Sequence, residues 1–239
     1  MASYTGRGVH GQIVHALGTR IVGGDLPEGT TLDVRALGEE LDVSMTVMRE
    51  SMKVLAGKGL IDARQKRGTF VRERKHWNLL DADLIGWQVE SGGGQRLMRD
   101  LADVRSIVEP AAAHRAALHR TTEDLHAMRA ALDAMTEAHA HSPADAAEAD
   151  AAFHRALLNA TGNEMLARMD LLLEPGLRER DRVVHSRNRA VDPIPSHQAV
   201  LDAVRDQDAA RAELAMLDLL AQATHDFDQV TGEQSATSR

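Results

Sequence analysis

The 239-residue chain reads as a mainly α protein: an N-terminal winged helix-turn-helix, α with a small β-hairpin wing, followed by an all-α bundle of six to seven helices. Three features predict this. Between Asp33 and Val71 the patterns run in the order helix, tight turn, helix, β-hairpin. After Gly94 strand signals nearly vanish, and helix formers take over. Charge divides between the same two parts: residues 1–75 carry 12 Lys or Arg against 9 Asp or Glu, a net of +3, whereas residues 76–239 carry 16 against 27, a net of −11.

Taken in order, Gln12–Val22 is a helical pattern with Ile13, Leu17 and Ile21 on one face, and Gly23 to Gly29 is a turn-rich link punctuated by Gly and Pro. Asp33–Leu41 and Ser44–Ala56 are the paired helices, separated only by Asp42 and Val43. Ser44 stands where an N-cap belongs, and Gly57 and Gly59 end the second helix. Met48, Met52 and Leu55, at i, i+4 and i+7, are expected to face the core. Thr46, Arg49 and Lys53 then fall on the opposite side, with Met45 at the flank of the first turn. That outer face is the one a helix would present to a DNA major groove. Leu60–Arg64 and Thr69–Val71 are the strands of the hairpin. Its tip, Gln65-Lys66-Arg67-Gly68, sets two cations beside a glycine that lets the backbone come close to a phosphate. A single basic helix would read as an ordinary solvated face; the full order of elements favours a DNA reader. A mildly basic reader on an acidic body is the split expected when phosphates are met only locally.

The boundary falls between residues 75 and 95, giving a DNA-binding domain over 1–75, a connector over 76–94, a helical domain over 95–231 and a disordered polar tail over 232–239. The connector holds a short helix, Leu79–Glu90, with Leu80, Leu84 and Trp87. The helices expected after it are Gln95–His119, Thr122–His139, Pro143–Asn159, Glu164–Val184, Ile194–Arg205 and Gln207–Val230. Thr122, Ser142 and Asn163 are the expected caps. No apolar run approaches the roughly 18 residues that cross a bilayer. The N-terminus lacks the apolar block of a secretory signal, and the absence of cysteine excludes disulfides and thiolate catalysis. A cytoplasmic protein without a membrane partner is expected.

The stretch GGDLPEGTTL…LDVSMTVMRESMKVLAGKGLIDARQKRGTFV resembles the N-terminal domain of GntR-type regulators. The segments DVRSIVEPAAAHRA, EADAAFHRALLNATGN and SHQAVLDAVRDQDAARAELAM resemble the ligand (FCD) domain of their FadR subfamily. The resemblance covers about residues 10–225. IVGG and HWNLLDADLIGWQ are similar to stretches of the repressors of D-galactonate utilisation. Carried over residue by residue, the resemblance puts Arg35, Arg49 and the wing's Gly68 at positions that contact operator DNA. The residue after Ser44 is usually arginine in this family and here is Met45. Methionine cannot grip guanine O6 and N7 with two hydrogen bonds, so operator preference is expected to differ.

In the ligand domain the family often holds a divalent metal, zinc or similar, with one aspartate and three histidines. Asp150 and His154 match the first pair, i and i+4 on one helix face, and His197 matches the next ligand. The fourth position is Leu219. His225, six residues on, lies about 240° further round the helix and substitutes poorly. The same three residues could instead bind a polar ligand directly, or be ordinary polar residues. Arg105, followed four residues later by Glu109, and Arg178 match arginines suited to a sugar-acid carboxylate. For Arg178 a plain surface role in the run Arg178, Arg180, Arg182 stands beside that reading.

The resemblance implies a ligand-controlled transcription factor. A homodimer would place two winged helices on a two-fold symmetric stretch of double-stranded operator DNA, and a small acidic effector such as galactonate would release it. Two other readings differ in kind. One is a metal-dependent enzyme using Asp150, His154 and His197; the other is an architectural DNA-binding protein without a ligand.

Overall fold

The computed structural model describes residues 8–92, 94–139, 141–185 and 192–237, and its contacts divide the chain into two units that meet after Leu97. In the first unit α1 (Val9–Val22) buries Ile13, Leu17 and Ile21, as their spacing requires. The link then forms a two-residue strand, β1 (Thr31–Leu32), which the sequence reading had not anticipated. Asp33 caps α2 (Val34–Glu40) by accepting from the amides of Arg35 and Ala36, both at 3.0 Å. Ser44 caps α3 (Met45–Gly57), its hydroxyl accepting from Val47 N at 3.3 Å. Met48, Met52 and Leu55 are buried on the inner face of α3.

The wing is β2 (Ile61–Arg64) and β3 (Gly68–Val71), antiparallel in the register Ile61↔Val71 to Arg64↔Gly68. β1 pairs with the other edge of β3, giving the order β1-β3-β2. Lys66 at φ 72° and Gly68 at φ 76° bend the tip, and the lysine there accepts a backbone conformation that glycine adopts freely. After a single 3-10 turn (Arg74–His76) comes α4 (Ala82–Glu90).

The expected connector contributes α4 to this first core, where Leu84 and Trp87 pack with α1 and α3. The helix starts later than the sequence suggested, because Asp81 caps it by accepting from Asp83 N and Leu84 N; Leu80 is left outside and is 69% exposed. Trp87 lies against Gly18, where a Cβ would come within 2.4 Å of the indole ring. Lys58, in the residue after α3, is only 11% exposed and pairs with Asp81 at 2.8 Å and Asp83 at 2.6 Å. Burial disfavours its charge, but the two carboxylates outweigh that and raise its pKa.

The second unit is helical: α5 (Gly94–His119, begun just before the boundary), α6 (Thr122–His139), α7 (Pro143–Asn159), α8 (Glu164–Ala167), α9 (Asp170–His185), α10 (Ile194–Arg205) and α11 (Ala209–Thr237). Its core gathers small and medium side chains of α5, α6, α7, α10 and α11 around Phe153, Leu157, Met128 and Met216. Three differences from the sequence reading have local causes. The cap of α6 is Thr121, not Thr122: Thr121 Oγ1 accepts from Asp124 N at 3.1 Å while Asp124 Oδ2 accepts from Thr121 N at 2.8 Å, a reciprocal capping box. The single helix expected over Glu164–Val184 breaks into α8 and α9 at Arg168 and Met169, where Asp170 Oδ1 takes Leu171 N at 2.7 Å in a competing local bond. Gln207, at φ 57°, lies outside α11, which begins only after Asp208, whose Oδ1 caps it by accepting from Arg211 N at 3.0 Å. At its other end α11 runs to Thr237, through the expected tail. Among the described residues no helix is long and apolar enough to cross a membrane.

Candidate functional site

On the first unit, Thr46, Arg49 and Lys53 are exposed on the outer face of α3, and Met45, its first residue, is 40% exposed. Lys53 pairs with Glu50 at 2.7 Å, and Arg35 lies 3.8 Å from Glu39; both are exposed contacts that salt or a phosphate would readily displace. At the wing, Lys66 projects from the exposed tip. Arg67 behaves differently: its guanidinium stacks 3.6 Å from the centre of the Phe70 ring and donates to Gly29 O at 3.3 Å. Arg67 is thus held in place while still exposed, a packing role that a charge count does not reveal.

In the second unit, Arg105, Asp150, His154 and His197 converge, all buried, from α5, α7 and α10. Glu109 joins them. Arg105 Nε donates to Glu109 Oε1 at 2.6 Å and Nη2 to Oε2 at 3.2 Å, a forked pair within one helix. Burial alone would push the Glu109 carboxyl up, but the Arg105 guanidinium and the His154 ring hold it down, to about 2. His154 Nδ1 lies 2.8 Å from Glu109 Oε2, off the ideal hydrogen-bond line, and Arg105 Nη2 is 3.1 Å from His154 Nε2. Burial keeps His154 neutral by lowering its pKa, against the pull of Glu109.

These contacts fix the tautomers. Glu109 is an ionised acceptor, so Nδ1 of His154 carries its proton and Nε2 presents a lone pair. His197 Nδ1 is 2.8 Å from Pro193 O, a carbonyl that only accepts, so Nδ1 donates there and Nε2 is the nitrogen left facing the cluster. That Nε2 lies 3.0 Å from Asp150 Oδ1, and His154 Nε2 lies 3.8 Å from Asp150 Oδ2. Two imidazole nitrogens and a carboxylate oxygen thus face one another with these atoms all within 4.8 Å, an arrangement suited to a cation. Carboxylate and carbonyl partners behind the imidazoles are what orient metal-binding histidines. Phe153 seals the cluster edge-on, its ring centre 4.9 Å from that of His197.

Leu219 is buried in the core and brings no fourth donor, and the exposed His225 pairs with Gln229 at 2.8 Å instead. Arg178 does not join the cluster. It is exposed and engages Glu148 at 2.6 Å and also Glu174, a surface ion-pair set between α7 and α9. Glu109 as the hub is legible from its spacing to Arg105, but the Pro193 carbonyl and the edge of Phe153 leave no signal in sequence.

A chamber of about 260 Å³ adjoins Arg105 between α5, α9 and α11. Its walls are mostly apolar: Met98, Leu101, Leu173, Leu177, Leu220 and Phe227 contribute to them.

Known proteins were compared with the chain. Residues 10–71 match the profile of bacterial regulatory proteins of the gntR family, and residues 100–222 match that of the FCD domain. The galactonate operon transcriptional repressor of Escherichia coli (strain K12) is 34% identical over 224 residues, which cover 92% of this chain and 97% of that protein. The HTH-type transcriptional regulator LutR of Bacillus subtilis (strain 168) is 32% identical over 207 residues, covering 82% and 91%. Among solved structures, Lar of Listeria monocytogenes superposes with a TM-score of 0.64 at 14% identity, over 93% of this chain and 98% of that one, a likeness of fold. With both halves matched in order and regulators aligned along nearly the whole length, the chain belongs to the GntR family of bacterial regulatory proteins and is a ligand-responsive transcriptional regulator of the FadR type, not an enzyme.

Proposed function

We propose that this protein is a cytoplasmic homodimeric repressor that holds two winged units on a two-fold symmetric operator and releases it when a small hydroxylated carboxylate binds in the helical unit. Galactonate is the first compound to test, because the 34% identical Escherichia coli relative is a galactonate operon repressor. In this reading Arg35, Ser44, Met45, Thr46, Arg49, Lys53, Lys66, Arg67 and Gly68 form the DNA face. Arg49 and Met45 meet base edges, and the wing meets phosphates.

The observation that carries the effector half is the convergence of Arg105, Asp150, His154 and His197 in a buried cluster. Two carboxyl groups, Glu109 and Asp150, face the single guanidinium of Arg105 in this buried cluster, a poor host for an anion by itself. A divalent cation held by Asp150, His154 and His197 would add positive charge there, and when bound it would offer coordination positions to carboxylate and hydroxyl oxygens. The residues present fit such an ion: three donors, with both imidazoles held from behind by Glu109 and the Pro193 carbonyl. The forked Arg105–Glu109 pair keeps the guanidinium in place beside them.

Titrating galactonate into the protein–operator complex tests the reading. Release by the unmodified protein and no release by His154→Ala, with operator affinity retained, is expected. A normal release curve in the variant would place the ligand elsewhere.

A further inference from the structure

Phe70 lies in the central strand of the small sheet, opposite Thr31 on β1 and Asp62 on β2. It is only 5% exposed, yet it stands apart from the hydrophobic core to which its neighbours Val71 and Leu32 belong. What covers it is a cation: the Arg67 guanidinium carbon sits 3.6 Å from the ring centre, over the aromatic face. Nη2 of the same guanidinium donates to Gly29 O at 3.3 Å. That carbonyl is itself fixed, because Gly29 N donates to Val71 O and Val71 N to Thr30 O, both at 2.9 Å. Arg64, 5.5 Å from the ring centre, pairs with Asp62 at 3.2 Å instead. An exposed arginine ordinarily samples many rotamers, and ordering one on binding weakens affinity by about two- to tenfold. Here a ring beneath the guanidinium and a carbonyl beside it order the side chain before any ligand arrives.

We infer that Phe70 is a positioning residue for DNA binding: from beneath, it holds the Arg67 guanidinium ready to donate to a backbone phosphate. The inference rests on the reading of the wing as part of the DNA face. Phe70 is buried and acts only through Arg67. Lys66, exposed at the same tip, meets phosphates as a point charge on a long stem, whereas Arg67 meets them as a fixed planar fork. The short strand β1 gains a purpose as well. Its pairing with β3, directly after Gly29, sets the carbonyl that takes Nη2.

The test is the affinity of the full-length protein, across a range of salt concentrations, for a duplex that the unmodified protein selects from a randomised pool. Phe70→Leu should weaken binding about two- to tenfold while the slope of log affinity against log salt is kept, since the cation is still present. Arg67→Ala should lower that slope by about one unit, and in its background Phe70→Leu should cost nothing measurable. In a Lys66→Ala background the cost of Phe70→Leu should remain in full. Arg67→Lys, which keeps the charge on an exposed side chain but not the planar fork, should match Phe70→Leu in both affinity and slope. An equal cost of Phe70→Leu with and without Arg67, or an Arg67→Lys protein that binds as the unmodified one does, overturns the inference. If Phe70→Leu fails to fold, the lysine variant decides alone. A protein that selects no duplex overturns the DNA reading and this inference with it. If Arg49→Ala weakens binding and Phe70 shows no coupling to Arg67, only the Phe70 assignment falls.

Discussion

At Gly18 the backbone of α1 comes so near Trp87 that the missing Cβ is itself a packing element. The indole cannot retreat cheaply: it is buried, and its Nε1 donates to His15 Nδ1 at 3.0 Å. Gly18→Ala is therefore expected to destabilise the first unit by about 1–3 kcal/mol. Gly86, inside α4 with nothing within 4 Å of an added Cβ, should show the opposite sign, gaining about 0.4–1 kcal/mol on substitution by alanine. Thermal unfolding of the two variants separates close approach from the ordinary cost of glycine in a helix.

Glu109 carries the other residue-scale expectation. Its carboxyl is depressed from 4.5 to about 2, so the stability it contributes is complete above pH 4.5 and disappears as pH falls towards 2. At about 1.36 kcal/mol per unit the whole effect is on the order of 3 kcal/mol, shared with its partners Arg105 and His154. Urea unfolding of the wild type and Glu109→Gln across that range should show a gap that narrows as pH falls; a constant gap would contradict the ion-pair account. Sequence made Arg105 and Glu109 visible as an i, i+4 pair, but not that both would be buried, because burial depends on α7 and α10 arriving from far along the chain.

Among the elements, α3 and the wing bear the DNA proposal. Removing Arg49 takes a cation from the outer face and leaves the Met48, Met52 and Leu55 stripe intact, so Arg49→Ala should cost operator binding about 1–3 kcal/mol at fixed salt with no change in folding. Met45→Arg should shift the sequences selected from a randomised operator pool towards guanine at the facing position; identical selections would mean that position 45 does not meet bases. Helices were the most legible elements, because caps such as Ser44, Ser142 and Asn163 and a 3.6-residue apolar period are local signals. β1 was not legible: its two residues are a strand only because Phe70 and Thr69 lie opposite them. The break between α8 and α9 was missed for a related reason, since the apolar pattern continues across it while the backbone turns there through i−3 bonds, Met169 N to Leu166 O and Leu171 N to Arg168 O, beside Asp170's bond to the next amide.

For the whole molecule, the proposed ion and the proposed effector should be thermodynamically coupled. Arg105 Nη2 now lies against the His154 lone pair that an ion would take, so an ion and this contact exclude one another. Loading the cluster would free N–H groups for a carboxylate, and the effector would tighten zinc by the same factor, in the range of about 5–150-fold. Chelation should therefore raise the galactonate concentration that releases the operator, and zinc titrations with and without galactonate should differ equally. Equal release curves before and after chelation would assign the three residues to direct contact with the ligand. The absence of a fourth donor at Leu219 should make the ion easier to strip than in four-ligand relatives. The two-part architecture was legible from charge and periodicity alone; the chamber was not, because its walls come from three helices spread along more than a hundred residues of chain.

Lysine is confined to the first unit, and the four side chains differ sharply in environment. Lys53 and Lys75 are about two-thirds exposed and Lys66 is at the exposed wing tip, whereas Lys58 is enclosed and held protonated by Asp81 and Asp83. An amine-reactive label, which attacks only a neutral accessible amine, should therefore modify the first three side chains quickly and Lys58 hardly at all. No lysine side chain in the helical unit would contribute background. Bound operator should shield Lys53 and Lys66, turning their labelling rates into a footprint of the DNA face. Slow modification of Lys58 would time the local opening of the junction between α3 and α4. The fold thus comes with its own chemical reporter: three fast sites for occupancy and one slow site for breathing.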